Sequence, residues 1–178
     1  PVTCKRESLN GLYAQNAATA GILPGEALTI KDLLYCLMLP SAADAANILA
    51  DYVGNGIDNF VVMMNDFVAK LGCKNTKFVN AHGLDANPNG YTTANDLYII
   101  TKYALKNDTF KEITSTSRYD IEPTEMYPHT RYLHNTNKMM NAGIRDYYHK
   151  SVSGVKTGTT EKAGRCVITT ASQDGYNY

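Results

Sequence analysis

The hydrophobic pattern splits the chain into a helical stretch followed by a strand-rich one. From Thr29 the apolar residues Ile30, Leu33, Leu34, Leu37 and Met38 recur at helical spacing. Thr29 with Asp32 three residues on makes a capping box, and Pro40 ends the pattern. Ser41, with Asp44, then opens a second predicted helix through "SAADAANILADYV", closed by Gly54, Asn55 and Gly56. A third runs from about Asp58 to Leu71, with Phe60, Val61, Met64, Phe67, Val68 and Leu71 inward and Gly72 as its cap. A loop crowded with Asn, Gly and Pro follows, "NTKFVNAHGLDANPNGYTTANDL", in which Thr93 with Asp96 makes another capping box and starts a fourth helix reaching about Leu105. Residues 109–150 are polar and rich in Tyr, with the short strand-like pieces "RYDIE" and "TRYLHN". The alternating, β-branched run "SGVKTG…RCVITTAS" predicts a hairpin, and "SQDGYNY" a turn into a further strand. Residues 1–28 are mixed, with turn signals at Gly11, Gly21 and Pro24-Gly25-Glu26. Helices first and strands later predict an α+β layout, with a helical lobe over about 29–106 and part of a sheet over about 150–178.

Charge changes this picture little. Seventeen basic residues balance seventeen acidic ones among 178, so no net field recommends nucleic acid or an anionic membrane as a partner. No apolar run approaches the roughly 20 residues that cross a bilayer. Cys4, Cys36, Cys73 and Cys166 are widely spaced, without a Cys-x-x-Cys pair, which leaves zinc and redox motifs unsupported. Cys36 falls in an apolar helix and Cys166 in an apolar strand, and both are expected to be free buried thiols. The start at Pro1-Val2-Thr3-Cys4 and the stop within a strand pattern read as cuts at both ends of a longer domain.

Three segments could carry chemistry: "PSAADAA" at 40–46, "NAHGLD" at 80–85 and "GVKTGTTEKAG" at 154–164. Each has a plain structural reading. Ser41 suits a helix cap without catalysis, and Lys156-Thr157-Gly158 suits an exposed strand leading to a turn. His82 reads as a hydrogen-bonded loop histidine; His129, His134 and His149 lack ligand spacing and read as surface residues. Tyr127, Tyr132, Tyr147 and Tyr148 could stack on a ligand, but packing on strands is the simpler reading.

Order and context alter the weighing. "GEALTIKDLLYCLMLPSAADAANILA", "LGCKNTKFVNAHGL", "YTTANDL" and "GVKTGTTEKAGRC" together resemble the penicillin-binding D-alanyl-D-alanine carboxypeptidases, the low-molecular-mass serine peptidases of the bacterial cell wall. The resemblance runs through most of the chain and implies a β-lactamase/transpeptidase-like fold, truncated at both ends. It also implies an acyl-enzyme mechanism built on S-x-x-K, S-x-N and K-T-G elements. Ser41 matches the S-x-N serine, a proton relay to the leaving amine. Lys156 matches the K-T-G lysine, which would hold the substrate's terminal carboxylate and the Ser41 hydroxyl. Thr157 would donate to that carboxylate, Gly158 would leave room for a substrate strand, and the Thr159 N–H would serve the oxyanion hole. The implied partners are peptidoglycan stem peptides ending in D-Ala-D-Ala, with β-lactams as inhibitors; no cofactor or metal is called for. An exported location is implied, at the outer face of the membrane or secreted, any membrane anchor lying outside these residues.

Two positions depart from the pattern. S-x-x-K should lie upstream of Ser41, yet nothing in residues 1–40 fits, Ser8 being followed three positions later by Gly11. The formal match Ser153-Gly154-Val155-Lys156 lies on a predicted strand, where positions three apart face opposite ways. Ala43 occupies the family's asparagine position, removing an amide that would hold the substrate peptide. The reading is therefore a partial serine carboxypeptidase domain, without its nucleophile and inactive alone. Two alternatives stand: a non-catalytic homologue that binds wall peptide or a protein, which Ala43 favours, and a β-lactamase, for which no deacylating carboxylate motif stands out in 109–150.

Overall fold

The structure, a computed structural model, describes residues 1–85 and 89–178; residues 86–88 of the predicted Asn/Gly/Pro-rich loop lie outside the described residues. A short antiparallel pair, β1 (Val2–Thr3) with β2 (Ala27–Leu28), closes the N-terminal segment. Helix α1 (Ile30–Met38) begins at the predicted capping box: Thr29 Oγ1 accepts from Asp32 N at 3.0 Å, and Asp32 Oδ2 accepts from Thr29 N at 3.3 Å. Leu33, Tyr35 and Cys36 form its buried face. After Pro40, α2 (Ala43–Gly54) runs through the middle of the helical part, and every residue from Ala43 to Ala50 is buried. Its small side chains make this possible, because four alanines among the first eight positions let neighbouring elements approach closely.

Helix α3 (Ile57–Lys70) follows after Asn55 takes a left-handed conformation (φ 51°). The junction is tight. A Cβ on Gly54 would lie 2.7 Å from Phe60 N, so only glycine fits there. The inward stripe predicted for α3 holds in part: Val68 is buried, Phe60, Val61, Met64 and Leu71 are half-buried, but Phe67 is exposed and meets the Tyr103 ring edge-on. Helix α4 (Ala94–Ala104) starts at Thr93, whose side chain accepts from Asp96 N. Asp96 does not return the bond. Its buried carboxylate takes Asn75 N and Thr76 Oγ1, both at 2.8 Å, and so ties the preceding loop to the helix.

Helix α5 (Asp108–Ser115) lies where the polar composition gave no helical expectation; Asn107 caps it and Ile113 and Thr114 are buried. The two predicted short strands are present as an antiparallel pair, β3 (Arg118–Ile121) with β4 (Arg131–His134), in the register Asp120↔Tyr132. A third sheet has the order β5-β6-β7: β5 (Val152–Thr160) and β6 (Gly164–Gln173) form the predicted hairpin, and β7 (Tyr176–Asn177) adds to β6. Strand β5 is thus an edge.

The core joins Leu33, Cys36 and Leu39 with Ala45, Ile48 and Leu49 of α2 and with Ile113, Ile121 and Leu133. Tyr35 of α1 stacks on Tyr119 of β3 with ring centroids 3.7 Å apart. Two buried carboxylates pin the segment before α1. Asp44 accepts from Ala20 N, Ile22 N and Ala45 N. Glu26 is bridged by both terminal nitrogens of Arg131, each at 2.7 Å, and also accepts from Leu23 N and Thr124 Oγ1. Burial alone would raise the Glu26 pKa; these bonds hold it below the ordinary carboxylate value.

Cys4, Cys36 and Cys73 are free and buried, but Cys166 is free and exposed, contrary to the expectation from its apolar strand. It sits on a sheet face that no described element covers completely. The tyrosine expectation also changes. Tyr132 is on β4 yet faces outward beside Arg118, and Tyr147 and Tyr148 are exposed in the segment before β5 rather than packed on strands. Tyr127 lies under the Arg131 guanidinium, 3.9 Å away. His129, His134 and His149 are exposed, as expected. No described helix is long and apolar enough to cross a membrane.

Candidate active site

A cleft of about 1230 Å³ opens between the α1–α2 corner, the loop at residues 80–84, the segment after β4 and the edge strand β5. All three segments singled out in the sequence line it.

Ser41 stands at the corner. It was expected to cap α2, and the structure places it otherwise: the helix starts at Ala43 with Ala42 as its N-cap and no side-chain cap bond, and the Asp44 carboxylate serves Ala20, Ile22 and Ala45 instead. Ser41 itself has φ 62°, in the left-handed region, a conformation that disfavours an L-residue by about 1–3 kcal/mol. Flanking backbone bonds hold it there, Ala42 N to Cys36 O at 3.0 Å and Ala43 N to Ala18 O at 2.8 Å. With no cap to make, the Ser41 hydroxyl is left for the cleft.

Lys156 reaches it from β5. Its Nζ donates to Ser41 Oγ at 2.7 Å and to Thr157 O at 2.8 Å, joining positions 115 residues apart. The ammonium has no carboxylate within ion-pair distance among the described residues. Burial therefore acts unopposed and pushes the Lys156 pKa down to about 8. A lysine so placed can carry a proton near neutral pH and can also give it up. Ser153, three residues earlier, is exposed and lies near Thr170 Oγ1 at 3.3 Å; the formal S-x-x-K match is no serine–lysine pair.

Thr157 faces the other wall, its hydroxyl 2.5 Å from that of Thr136. Gly158 is the informative glycine: a Cβ built there meets no protein atom within 4 Å, and its φ is not positive. Neither packing nor backbone geometry within the chain explains it, so the space beside it is cleft. Thr159 pairs with Arg165 across the hairpin. Ala43 is buried at the first turn of α2 and lines the cleft with a methyl group alone.

His82 lies in the opposite loop. Its Nδ1 accepts from Leu84 N at 3.2 Å, and burial lowers its pKa, both fitting the loop-histidine reading. That loop touches the hairpin tip, where Asp85 Oδ2 accepts from Lys162 N at 2.9 Å.

The wall at residues 135–139 was missed in the sequence. Asn137 is buried and donates to Gly154 O at 2.8 Å while its Oδ1 accepts from Met139 N, which fastens this wall to β5. The run Asn135-Thr136-Asn137 directly after a strand was the signal available. Among the described residues no group of His, Cys, Asp or Glu could hold a metal ion.

Comparison with known proteins bears on the family rather than on individual residues. A family model described as D-alanyl-D-alanine carboxypeptidase, of the S11 peptidases, matches residues 6–178. The D-alanyl-D-alanine carboxypeptidase of Streptomyces sp. strain K15 is 32% identical over 98% of this chain and 60% of its own length. The enzyme of the same name from Bacillus subtilis strain 168, DacF, is 31% identical over 90% of this chain and 40% of its own length. The chain thus spans about 60% or less of these relatives. The crystal structure of the Streptomyces K15 DD-transpeptidase superposes with a TM-score of 0.86, at 32% identity, covering 99% of this chain and 68% of that one.

Proposed function

The chain belongs to the D-alanyl-D-alanine carboxypeptidase family, and from that premise we propose that it supplies the substrate-recognition and proton-relay half of a serine DD-carboxypeptidase acting on peptidoglycan stem peptides. One observation carries the reading: Lys156 and Ser41, from distant parts of the chain, share a 2.7 Å hydrogen bond inside a cleft beside an edge strand. In the proposed reaction a serine attacks the carbonyl between the two D-alanines, the terminal D-alanine leaves as its amine, and water releases the acyl group. Ser41 passes the proton toward the leaving amine. The Lys156 ammonium and the Thr157 hydroxyl hold the terminal carboxylate. The peptide lies along β5 past Gly158, with the Thr159 N–H toward the oxyanion.

No attacking serine is proposed within this chain, because its S-x-x-K match, Ser153 to Lys156, lies on strand β5 and not on a helix. The residues themselves are therefore proposed to bind the peptide reversibly, without turnover. β-Lactams, whose carboxylate and amide imitate the same peptide, are the proposed inhibitors, and the cell envelope is the proposed location. A second reading, a homologue that binds wall peptide without catalysis, is favoured by Ala43, which offers the peptide no amide.

The test is titration of N-acetyl-D-Ala-D-Ala by NMR, with intact-mass analysis after benzylpenicillin on this chain and on any longer form of the same protein. Saturable binding that disappears in Lys156→Met supports the recognition role; no binding refutes it. A penicillin adduct on the longer form alone supports the peptidase. Its absence from both forms favours the binding-only reading.

A further inference from the structure

The segment that follows β4 fastens the two halves of the site to each other. Asn135, Thr136 and Asn137 lie between β4 and a short 3-10 turn, Lys138–Met140. Each of the three is held by a different element. Asn135 N donates to Ser117 O at 2.9 Å, and its Nδ2 donates to Thr114 O and Thr116 O at 3.2 and 3.1 Å. Asn137 Nδ2 donates to Gly154 O, two residues before Lys156 on β5. Thr136, between them, bridges both sides. Its N–H donates to Leu39 O at 3.2 Å, two residues before Ser41, and its hydroxyl lies 2.5 Å from that of Thr157, next to Lys156. Among the described residues neither hydroxyl of this pair has another hydrogen-bond partner.

We propose that Thr136 is a positioning residue that acts through Thr157, its hydroxyl fixing the direction in which Thr157 donates. The inference rests on the proposed function, which gives the Thr157 hydroxyl the task of donating to the peptide's terminal carboxylate. A hydroxyl has one hydrogen and two lone pairs, so the bond between two hydroxyls uses one hydrogen and leaves the other free. A carboxylate only accepts. A ligand oxygen beside Thr157 therefore takes the Thr157 hydrogen, and Thr136 becomes the donor within the pair. That bond stops the Thr157 hydroxyl from rotating and, by polarising its oxygen, makes it the stronger donor. The backbone bond to Leu39 O and the anchored asparagines on either side set the Thr136 oxygen before any ligand arrives, which reduces the ordering that binding has to impose. Folding gives a weaker reason for this threonine: its side chain is exposed, where one hydroxyl pair contributes little.

The experiment is NMR titration of the natural chain and of Thr136→Val with N-acetyl-D-Ala-D-Ala and with N-acetyl-D-alanine ethylamide, which lacks the terminal carboxylate. Valine keeps the shape of the side chain and the N–H bond to Leu39 O, and removes only the hydroxyl. The expected result is about fivefold weaker binding of the acid by Thr136→Val, with binding of the ethylamide unchanged. Thr136→Ser, which keeps a hydroxyl, should bind the acid within about twofold of the natural chain. Thr157→Val should lose at least as much as Thr136→Val, and combining the two should add nothing, because the Thr136 hydroxyl then has no hydroxyl to orient. Equal losses for the acid and the ethylamide overturn the inference in favour of a general structural role. An additive loss in the double variant overturns it as well, since Thr136 would then meet the ligand itself. Unchanged binding of the acid by Thr136→Val overturns it and leaves the proposed function standing. If the natural chain binds neither compound, the proposed function falls and this inference with it.

Discussion

Replacing Lys156 by methionine tests the electrostatics of the cleft through stability alone. The side chain is largely buried and its pKa stands at about 8, against an ordinary value of 10.5. Because the charged form is the one disfavoured in the folded state, the penalty is fully present below pH 8, where both states hold the proton. Between pH 8 and 10.5 the unfolded chain binds more protons than the folded one, so this lysine's contribution rises with pH. Integrating between those two values gives about 1.3 kcal/mol of relative stabilisation from pH 7 to pH 9. Lys156→Met has no such titration. The stability of the natural chain relative to the variant should therefore rise by about that amount over the same range, whatever the absolute difference, which also includes the lost bonds to Ser41 and Thr157 O. Comparison with the variant cancels other titrations. The buried thiols matter here: burial, with the Asp44 charge adding to it, raises Cys4 to about 11 and Cys36 to about 12. Their stabilising contribution is present below the free thiol's pKa and fades at higher pH in both proteins. Urea unfolding of the two chains at pH 7, 8 and 9, in one ionic strength, is the assay. Parallel stability curves would show that Lys156 titrates as it does in water, and the argument for a desolvated, proton-accepting amine would fail.

Gly158→Ala separates packing from function: with open space and an ordinary φ, stability should stay within about 1 kcal/mol, on the favourable side, while D-Ala-D-Ala peptide binding weakens about tenfold. A melt that drops instead would place the glycine in the fold. Arg131→Leu leaves the Glu26 carboxylate buried without its partner and should destabilise by about 3–5 kcal/mol, much of it recovered when Glu26→Leu is added, as read from denaturant midpoints. Because Glu26 is held below its ordinary pKa, its contribution is present above the unfolded carboxylate's pKa and is lost as pH falls through the lower folded value. The acid limb of the stability curve should flatten in the doubly substituted chain. Thr29→Ala removes the capping box of α1 and should lower stability by about 1 kcal/mol in the same assay.

Much of the helical part was legible in the residue pattern because local interactions decide it. Thr29 caps α1 through atoms three residues away, Asn55 and Gly72 turn the chain left-handed at helix ends, and the β-branched run around residues 152–171 alternates as a hairpin must. Helix α5 was hidden for the converse reason. Its composition is polar, and burial of Ile113 and Thr114 beneath other elements, rather than propensity, holds it in place. The exposure of Cys166 and of Tyr147 was equally unreadable, since apolar type says where a residue tends to go and not what covers it.

The candidate site shows the same division within a few residues. The sequence alone determined which residue types are present and in what order, and the matched blocks around Ser41, His82 and Lys156 sufficed to identify the family. It could not decide what Ser41 does, because a serine before an apolar helix with Asp44 three residues on satisfies the local rule for a cap. That choice belonged to contacts across the chain. Asp44 is drawn to the amides of Ala20 and Ile22, the cap of α2 moves one residue on to Ala42, and Ser41 turns left-handed toward an amine 115 residues away. Hydrogen bonds at long sequence separation outweighed a local preference of about 1 kcal/mol, and only tertiary structure could show that they were available.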